Sequence, residues 1–174
     1  SKPTLKIERV KEGDKTRFGG LVSASPFQIK GLLEGPITPF NPERKGSSSF
    51  LVTGKHSILD KTSPVLYDYA TKDSLGLPYT YTDIYGKMSF LSGEGSKVDF
   101  FGFSFTDGVQ LEDIAKLDWV SGGGGLNFKL IPGSSNMIIS GTLAYSKYDI
   151  NLQEADDAPR KNSIGGFNAL FDFQ

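Results

Sequence analysis

Residues 81–107 read YTDIYGKMSFLSGEGSKVDFFGFSFTD, and their rhythm decides the fold. In the first half, Ile84, Gly86, Met88 and Phe90 fall on one side of an extended chain, with Asp83, Tyr85, Lys87 and Ser89 on the other. A period of two belongs to a β-strand with one apolar side. From Val98 to Asp107 the alternation resumes, Phe101, Phe103 and Phe105 opposing Gly102, Ser104 and Thr106. Between the two runs, Ser92-Gly93-Glu94-Gly95-Ser96-Lys97 has the glycine and serine content of a compact hairpin turn.

The same pattern extends outward. Val120–Ile131 alternates Leu126, Phe128 and Leu130 with Asn127 and Lys129. After the turn Pro132–Asn136, residues Met137–Asp149 set Met137, Ile139, Leu143 and Tyr145 against Ser140, Thr142 and Ser146. Ile164–Phe173 opposes Phe167, Ala169, Phe171 and Phe173 to Asn168 and Asp172. Upstream, Leu21, Phe27, Ile29 and Leu33 oppose Gln28, Lys30 and Glu34. Ser49–Asp60 adds a run whose faces the sequence leaves open. The expectation is an all-β, antiparallel up-and-down sheet of about seven strands.

The connections alternate in length. Gly93–Lys97 and Pro132–Asn136 are tight, and Pro36–Ser48 is intermediate with prolines at 36, 39 and 42. Lys61–Pro78, Gly108–Leu117 and Gln153–Asn162 are long and polar. Short turns on one rim and long loops on the other mark an outer-membrane barrel. Strands of roughly ten residues match the ~9–11 needed to cross a bilayer at a tilt. Tyr79, Tyr81, Trp119 and Tyr148 stand where strands meet the long loops, the place of an interfacial aromatic girdle.

Composition narrows the remaining classes. The 174 residues are 37% hydrophobic and 12% aromatic, with a formal charge of −1, so no basic surface argues for nucleic acid. No run approaches the ~20 apolar residues of a membrane helix. Zero cysteines excludes disulfides and thiolate chemistry within the chain, and the single His56 leaves little material for a catalytic triad or a multi-histidine metal site. Alternation alone also fits a soluble barrel of lipocalin type, in which the apolar faces point inward.

Four stretches resemble one family. RFGGLVSASPFQIKGLLEGPI, from Arg17 to Ile37, is similar to the first barrel strand of the TonB-dependent receptors of Bacteroidetes, which runs into a Leu-Glu-Gly-Pro-Ile turn. Ser49–Asp60 resembles the strand after that turn, with Lys55-His56 where the family usually carries arginines. Tyr81–Phe90 resembles the strand after the first long loop, and Thr4–Asp14 the closing strand of the plug. The resemblance implies that residues 1–16 end a plug domain or link it to the barrel, and that 17–174 form part of a transmembrane β-barrel. Such barrels have about 22 strands around a plug. About seven strands would be a fraction of one, with edges intolerable in lipid unless paired.

The resemblance further implies a receptor in the bacterial outer membrane that imports a bulky nutrient of the siderophore or oligosaccharide class. Its partners would be the rest of its own barrel and plug, the TonB energy-coupling complex, outer-membrane lipid and a surface lipoprotein lid. No enzymatic activity, cofactor or metal is expected. A barrel acting as scaffold or assembly partner is a further alternative.

Few residues offer chemistry. Gly122–Gly125 lacks the Gly-Lys-Ser/Thr ending of a phosphate-binding loop, and reads better as a bend or a close approach between strands. His56 has no nucleophile motif to serve. Asp149, Asn151, Glu154, Asp156 and Asp157 could hold calcium, but lack the spacing of a calcium loop. Lys30, Glu34, Asp83, Lys87, Asn127 and Lys129 are expected to line a wet lumen. Ligand contacts are expected from Tyr67, Tyr69 and Trp119, aromatics able to stack on a sugar or a siderophore ring. Phe101, Phe103, Phe105, Phe128, Leu130, Ile139, Leu143, Phe167 and Phe171 are expected on lipid, and Ser104, Asn127, Thr142 and Asn168 inside.

Overall fold

The computed structural model describes residues 11–38, 41, 43, 45–66, 79–111, 115–133, 137–154 and 158–174. They form one eight-stranded antiparallel sheet whose spatial order is the sequence order: β1 (Gly19–Ala24), β2 (Gln28–Pro36), β3 (Ser47–Ser57), β4 (Tyr79–Leu91), β5 (Lys97–Leu111), β6 (Ala115–Leu130), β7 (Ile139–Glu154) and β8 (Arg160–Phe173). The sheet is not closed: β1 and β8 are not paired with each other. The up-and-down topology is as expected, with one strand more than the alternation predicts. The extra strand arises at Ser25-Pro26-Phe27, where the Ser25 hydroxyl accepts from the amides of Phe27 and Gln28 and turns the chain back on itself.

One helix, α1 (Leu59–Leu66), follows β3. The strand expected over Ser49–Asp60 therefore ends at Ser57, and the loop expected from Lys61 begins as helix. The Thr62 hydroxyl donates to the Pro26 carbonyl at 2.5 Å, seating α1 against the β1–β2 turn. Among the described residues no helix is long and apolar enough to cross a membrane.

Register divides the strands into two faces. One carries Lys30, Glu34, Asp83, Lys87, Asp99, Asn127, Lys129, Thr142 and Asn168. A cavity of about 870 Å³ on this side is lined from β4 through β8 and by Glu12. All six residues expected to line a lumen lie on this cavity face. The outer face carries Val22, Ile29, Leu33, Val52, Ile84, Met88, Phe90, Phe100, Leu126, Phe128, Leu130, Ile139, Leu143, Phe167 and Phe171.

Four of the expected placements are overturned here. Phe101, Phe103 and Phe105 stand directly opposite Lys87, Tyr85 and Asp83, so they belong to the cavity face, and Ser104 belongs to the outer one. Leu21 faces the cavity side opposite Leu32, because the turn at Ser25 resets the alternation between β1 and β2. Gly108–Leu117 is not a long loop. The ladder continues through Gly108↔Asp118, Val109↔Leu117, Gln110↔Lys116 and Leu111↔Ala115, leaving only 112–114 between strands. Gln153–Asn162 shortens in the same way, since β7 runs to Glu154 and β8 starts at Arg160.

The sorting of connections between rims is as expected. Those joining β2–β3, β4–β5 and β6–β7 share one rim, while β1–β2, β3–β4, β5–β6 and β7–β8 meet at the other. The β4–β5 turn closes with the Ser92 amide on the Ser96 carbonyl, and Gly95 sits at φ +90°, where a side chain would be strained.

The interior inverts the usual order of soluble proteins. Among the described residues Leu51 is the buried apolar side chain, at 3% exposure, while Ser49, Ser57, Ser89 and Asp99 are buried on the same face. Apolar side chains of the outer face stand in the open: Val52 at 44%, Ile84 at 52% and Phe167 at 69%.

Candidate functional site

Successive rows of the ladder bring the chemistry of the cavity face together near the rim that carries α1. In one row Lys55, Asp83, Phe105, Ser121 and Tyr148 lie side by side on β3 to β7. In the next, Tyr81 leads to Asp107, Trp119 and Ile150. Tyr79 stands one step further out, its ring 5.8 Å from that of Tyr81. Neighbouring strands are ~4.8 Å apart, so aromatic side chains recur at strand-sized steps across the shelf.

Hydrogen bonds fix these rings. The Tyr81 hydroxyl donates to Gln28 Oε1 at 2.6 Å, reaching across β3 to β2. The Tyr79 hydroxyl donates to Asp107 Oδ1 at 2.9 Å. Lys55 is paired with Asp83 at 2.8 Å, and its ammonium stands 5.5 Å from the centre of the Tyr81 ring. Phe103 and Phe105 stack at 5.1 Å on the floor of the shelf. Aromatic faces held by polar edges are suited to binding a ring-bearing ligand.

Trp119, expected beside a long loop, instead lies inside β6 between Asp107 and Ile150. Tyr67 and Tyr69 lie outside the described residues. The interfacial girdle expected of Tyr79, Tyr81, Trp119 and Tyr148 is overturned: register puts all four on the cavity face, where they form the shelf. The signal that finds the first two is phase: Tyr79, Tyr81 and Asp83 alternate with Thr80 and Thr82, on the same side as Lys87.

Beyond Trp119 the faces exchange polarity. The outer face turns to Asp118, Lys116, Lys147, Asp149, Asn151 and Lys161, while the cavity face turns to Val109, Leu111, Leu117, Ile150 and Leu152. Lys116–Asp118 at 3.3 Å and Lys147–Asp149 at 3.0 Å are ion pairs of this outer polar zone. Calcium gains no support here. Asp149 and Asn151 point outward, Glu154 lies on the other face near Arg160, and Asp156 and Asp157 are outside the described residues. His56 also lies on the outer face, its Nδ1 2.8 Å from the Thr82 hydroxyl.

At the opposite rim a second cluster ties the segment before β1 to the sheet. Lys11 reaches Glu34 at 2.7 Å, and Glu12 bonds Lys97, which also pairs with Asp99 at 3.1 Å. The Lys97 bond, then that from Lys15, pulls the Glu12 carboxyl down to about 2 against the cost of burial. Asp14 is held at about 2 by the Thr16 amide and hydroxyl and by the Arg17 amide. Gly122–Gly125 permits close packing. A Cβ on Gly125 would stand 2.2 Å from the Leu143 carbonyl oxygen, and one on Gly123 2.4 Å from that of Tyr145.

No protein-family model, no curated protein and no solved structure matches this chain.

Proposed function

We propose that this chain is part of an outer-membrane β-barrel receptor of the TonB-dependent type, importing a bulky nutrient through a lumen on its cavity face. The observation that carries the membrane reading is the inverted burial: serines and an aspartate are enclosed while the outer face exposes Val52, Ile84, Phe100, Phe167 and Phe171. An apolar surface of this extent has no place in water and a natural one against acyl chains.

The height of the apolar band supports it further. On β6 the band runs from Leu130 to Val120 and ends at Asp118; on β7 it runs from Ile139 to Tyr145 and ends at Lys147. These spans approach the ~9–11 residues of a membrane crossing, with charge beginning where headgroups would lie. The TonB-dependent assignment rests on the resemblance of residues 17–60 and 81–90. In this reading 1–16 is the end of the plug or its link, the remaining barrel pairs the open edges, and the TonB complex supplies energy. A surface lipoprotein lid would complete the partner set.

Exposure of the outer face weighs against a soluble lipocalin-type barrel, although Phe101, Phe103 and Phe105 on the cavity face are what such a barrel would show. Single cysteines at Leu143 and Phe167, in a chain that has none of its own, test the reading in whole cells. A membrane-permeant maleimide should label both, and a charged maleimide neither. Labelling by the charged reagent alone overturns the membrane assignment. Loss of nutrient uptake on deleting the gene separates a transporter from a scaffold.

A further inference from the structure

We infer that the shelf of Tyr79, Tyr81, Trp119 and Tyr148 binds a neutral, ring-bearing polyol, an oligosaccharide rather than an anionic ferric chelate. The inference rests on the receptor reading and narrows its substrate class. A sugar ring presents an apolar face of C–H groups and a rim of hydroxyls. Aromatic side chains take the first, and carboxylate and amide oxygens accept from the second.

The shelf supplies both. Its rings recur on β4, β6 and β7, half-exposed to the cavity side, and Asp83, Asp107 and Gln28 stand among them as acceptors. Each of these oxygens already has one partner and keeps a further lone pair, so a ligand hydroxyl adds to the network without dismantling it.

Charge decides between the ligand classes. An anionic chelate calls for uncompensated cations, typically arginine forks. Here Lys30 and Lys55, side by side on β2 and β3, are balanced by Asp83 and Asp107, and Lys55 is committed to Asp83 at 2.8 Å. Further out, Arg160 lies 3.7 Å from Glu154. Among the described residues the cavity face therefore offers an anion no net attraction at this level, while rings and acceptors remain available to a neutral partner. The apolar cavity-side residues above the shelf, Val109, Leu117 and Leu152, extend the contact surface for ring faces.

The test uses the full-length receptor in detergent micelles. Its binding is measured to immobilised maltodextrin, xylan, mannan and β-glucan fragments, and to ferric hydroxamate and ferric catecholate chelates. Retention of a neutral glycan, weakened about tenfold by Trp119→Ala and little by Trp119→Phe, is the expected result. Tyr81→Phe, which keeps the ring and loses the bond to Gln28, should weaken it less than Tyr81→Ala. Binding of a ferric chelate alone, binding of no glycan, or glycan binding indifferent to Trp119→Ala overturns the inference. Heat-modifiable migration on gels, run in parallel, reports barrel formation. A folded outer-membrane protein that binds no glycan sinks only this inference, whereas a product soluble without detergent sinks the receptor reading itself.

Discussion

Lys97, the first residue of β5, holds the carboxylate of Glu12 across 85 positions of sequence, and with it the segment that leads into β1. The same ammonium reaches the buried Asp99, so one cation joins a half-buried carboxylate to a buried one. Because Glu12 is held at about 2, below its ordinary 4.5, its ionised form favours the docked segment. That contribution is complete above about pH 4.5 and is lost as pH falls through about 2; Asp14, also held at about 2, acts in the same direction. Protection of residues 11–17 against hydrogen exchange, referred to the intrinsic rate at each pH in the full-length protein, should therefore fall on acidification across this window, before that of the strand amides. Unchanged protection down to pH 2 would contradict the latch.

Removing the cation should imitate the acid. Lys97→Met should lower the protection of residues 11–17 at neutral pH and flatten its pH dependence, since among the described residues Glu12 then keeps Lys15 at 3.1 Å. A variant that exchanges like the parent would show that Lys11–Glu34 alone seats the segment.

Gly125 has no room for a side chain. Gly125→Val should cost on the order of 1–3 kcal/mol through overpacking against the Leu143 carbonyl and the Ala144 side chain. Gly86→Val, where a Cβ meets nothing within 4 Å, should cost much less. The comparison is read as the temperature at which the heat-modifiable form is lost, and equal temperatures would refute the close approach of β6 and β7.

Lipid contact makes a graded prediction along β7. Leu143→Lys should impair barrel assembly by about 2–4 kcal/mol if it lies near mid-bilayer. Asp149→Lys, in the outer polar zone, should be tolerated. Folding yields in lipid vesicles measure both, and equal sensitivity at the two positions would remove the membrane boundary between Tyr145 and Lys147.

Deleting Gly108–Leu117 should abolish folding rather than merely impair uptake, because it removes paired residues of β5 and β6. Deleting 112–114 and joining the ends with a short turn should preserve the heat-modifiable form. A folded barrel after the longer deletion would show that these pairs are dispensable.

These outcomes mark how far local pattern reaches. Period-two alternation and Gly, Pro and Ser turns are properties of a few neighbouring residues, so the strands, the tight turn at Gly95 and the division of rims were legible. The facing of β5 was not. Phe100 is as apolar as Phe101, and a shift of one residue exchanges the faces of the whole strand. Only pairing decides, through Lys87 opposite Phe101 and Ser89 opposite Asp99. Trp119 was legible as an aromatic of interest but not as part of a shelf. The polar residues around it resemble a loop until Leu117 and Trp119 are seen to keep phase with Val109 and Leu111 across the ladder.

The strands also differ in length, from 6 residues in β1 to 16 in β6 and β7. At the short-turn rim Ser47, Leu91, Lys97 and Lys129 stand level, so from β3 to β7 the added length emerges at the other end. There Gly108–Leu111 climbs beyond the level of Tyr81, about 13 Å at strand rise. The far rim of the sheet is thus cut on a slant. On the high wall of β5 to β7, Val109, Leu117 and Leu152 stand above the row shared by Tyr81 and Trp119, while the low side lies beneath α1. In the proposed receptor a ligand would therefore meet this aliphatic wall first, with Tyr79 level with Val109 and Leu117, and the level rings of Tyr81 and Trp119 one step below.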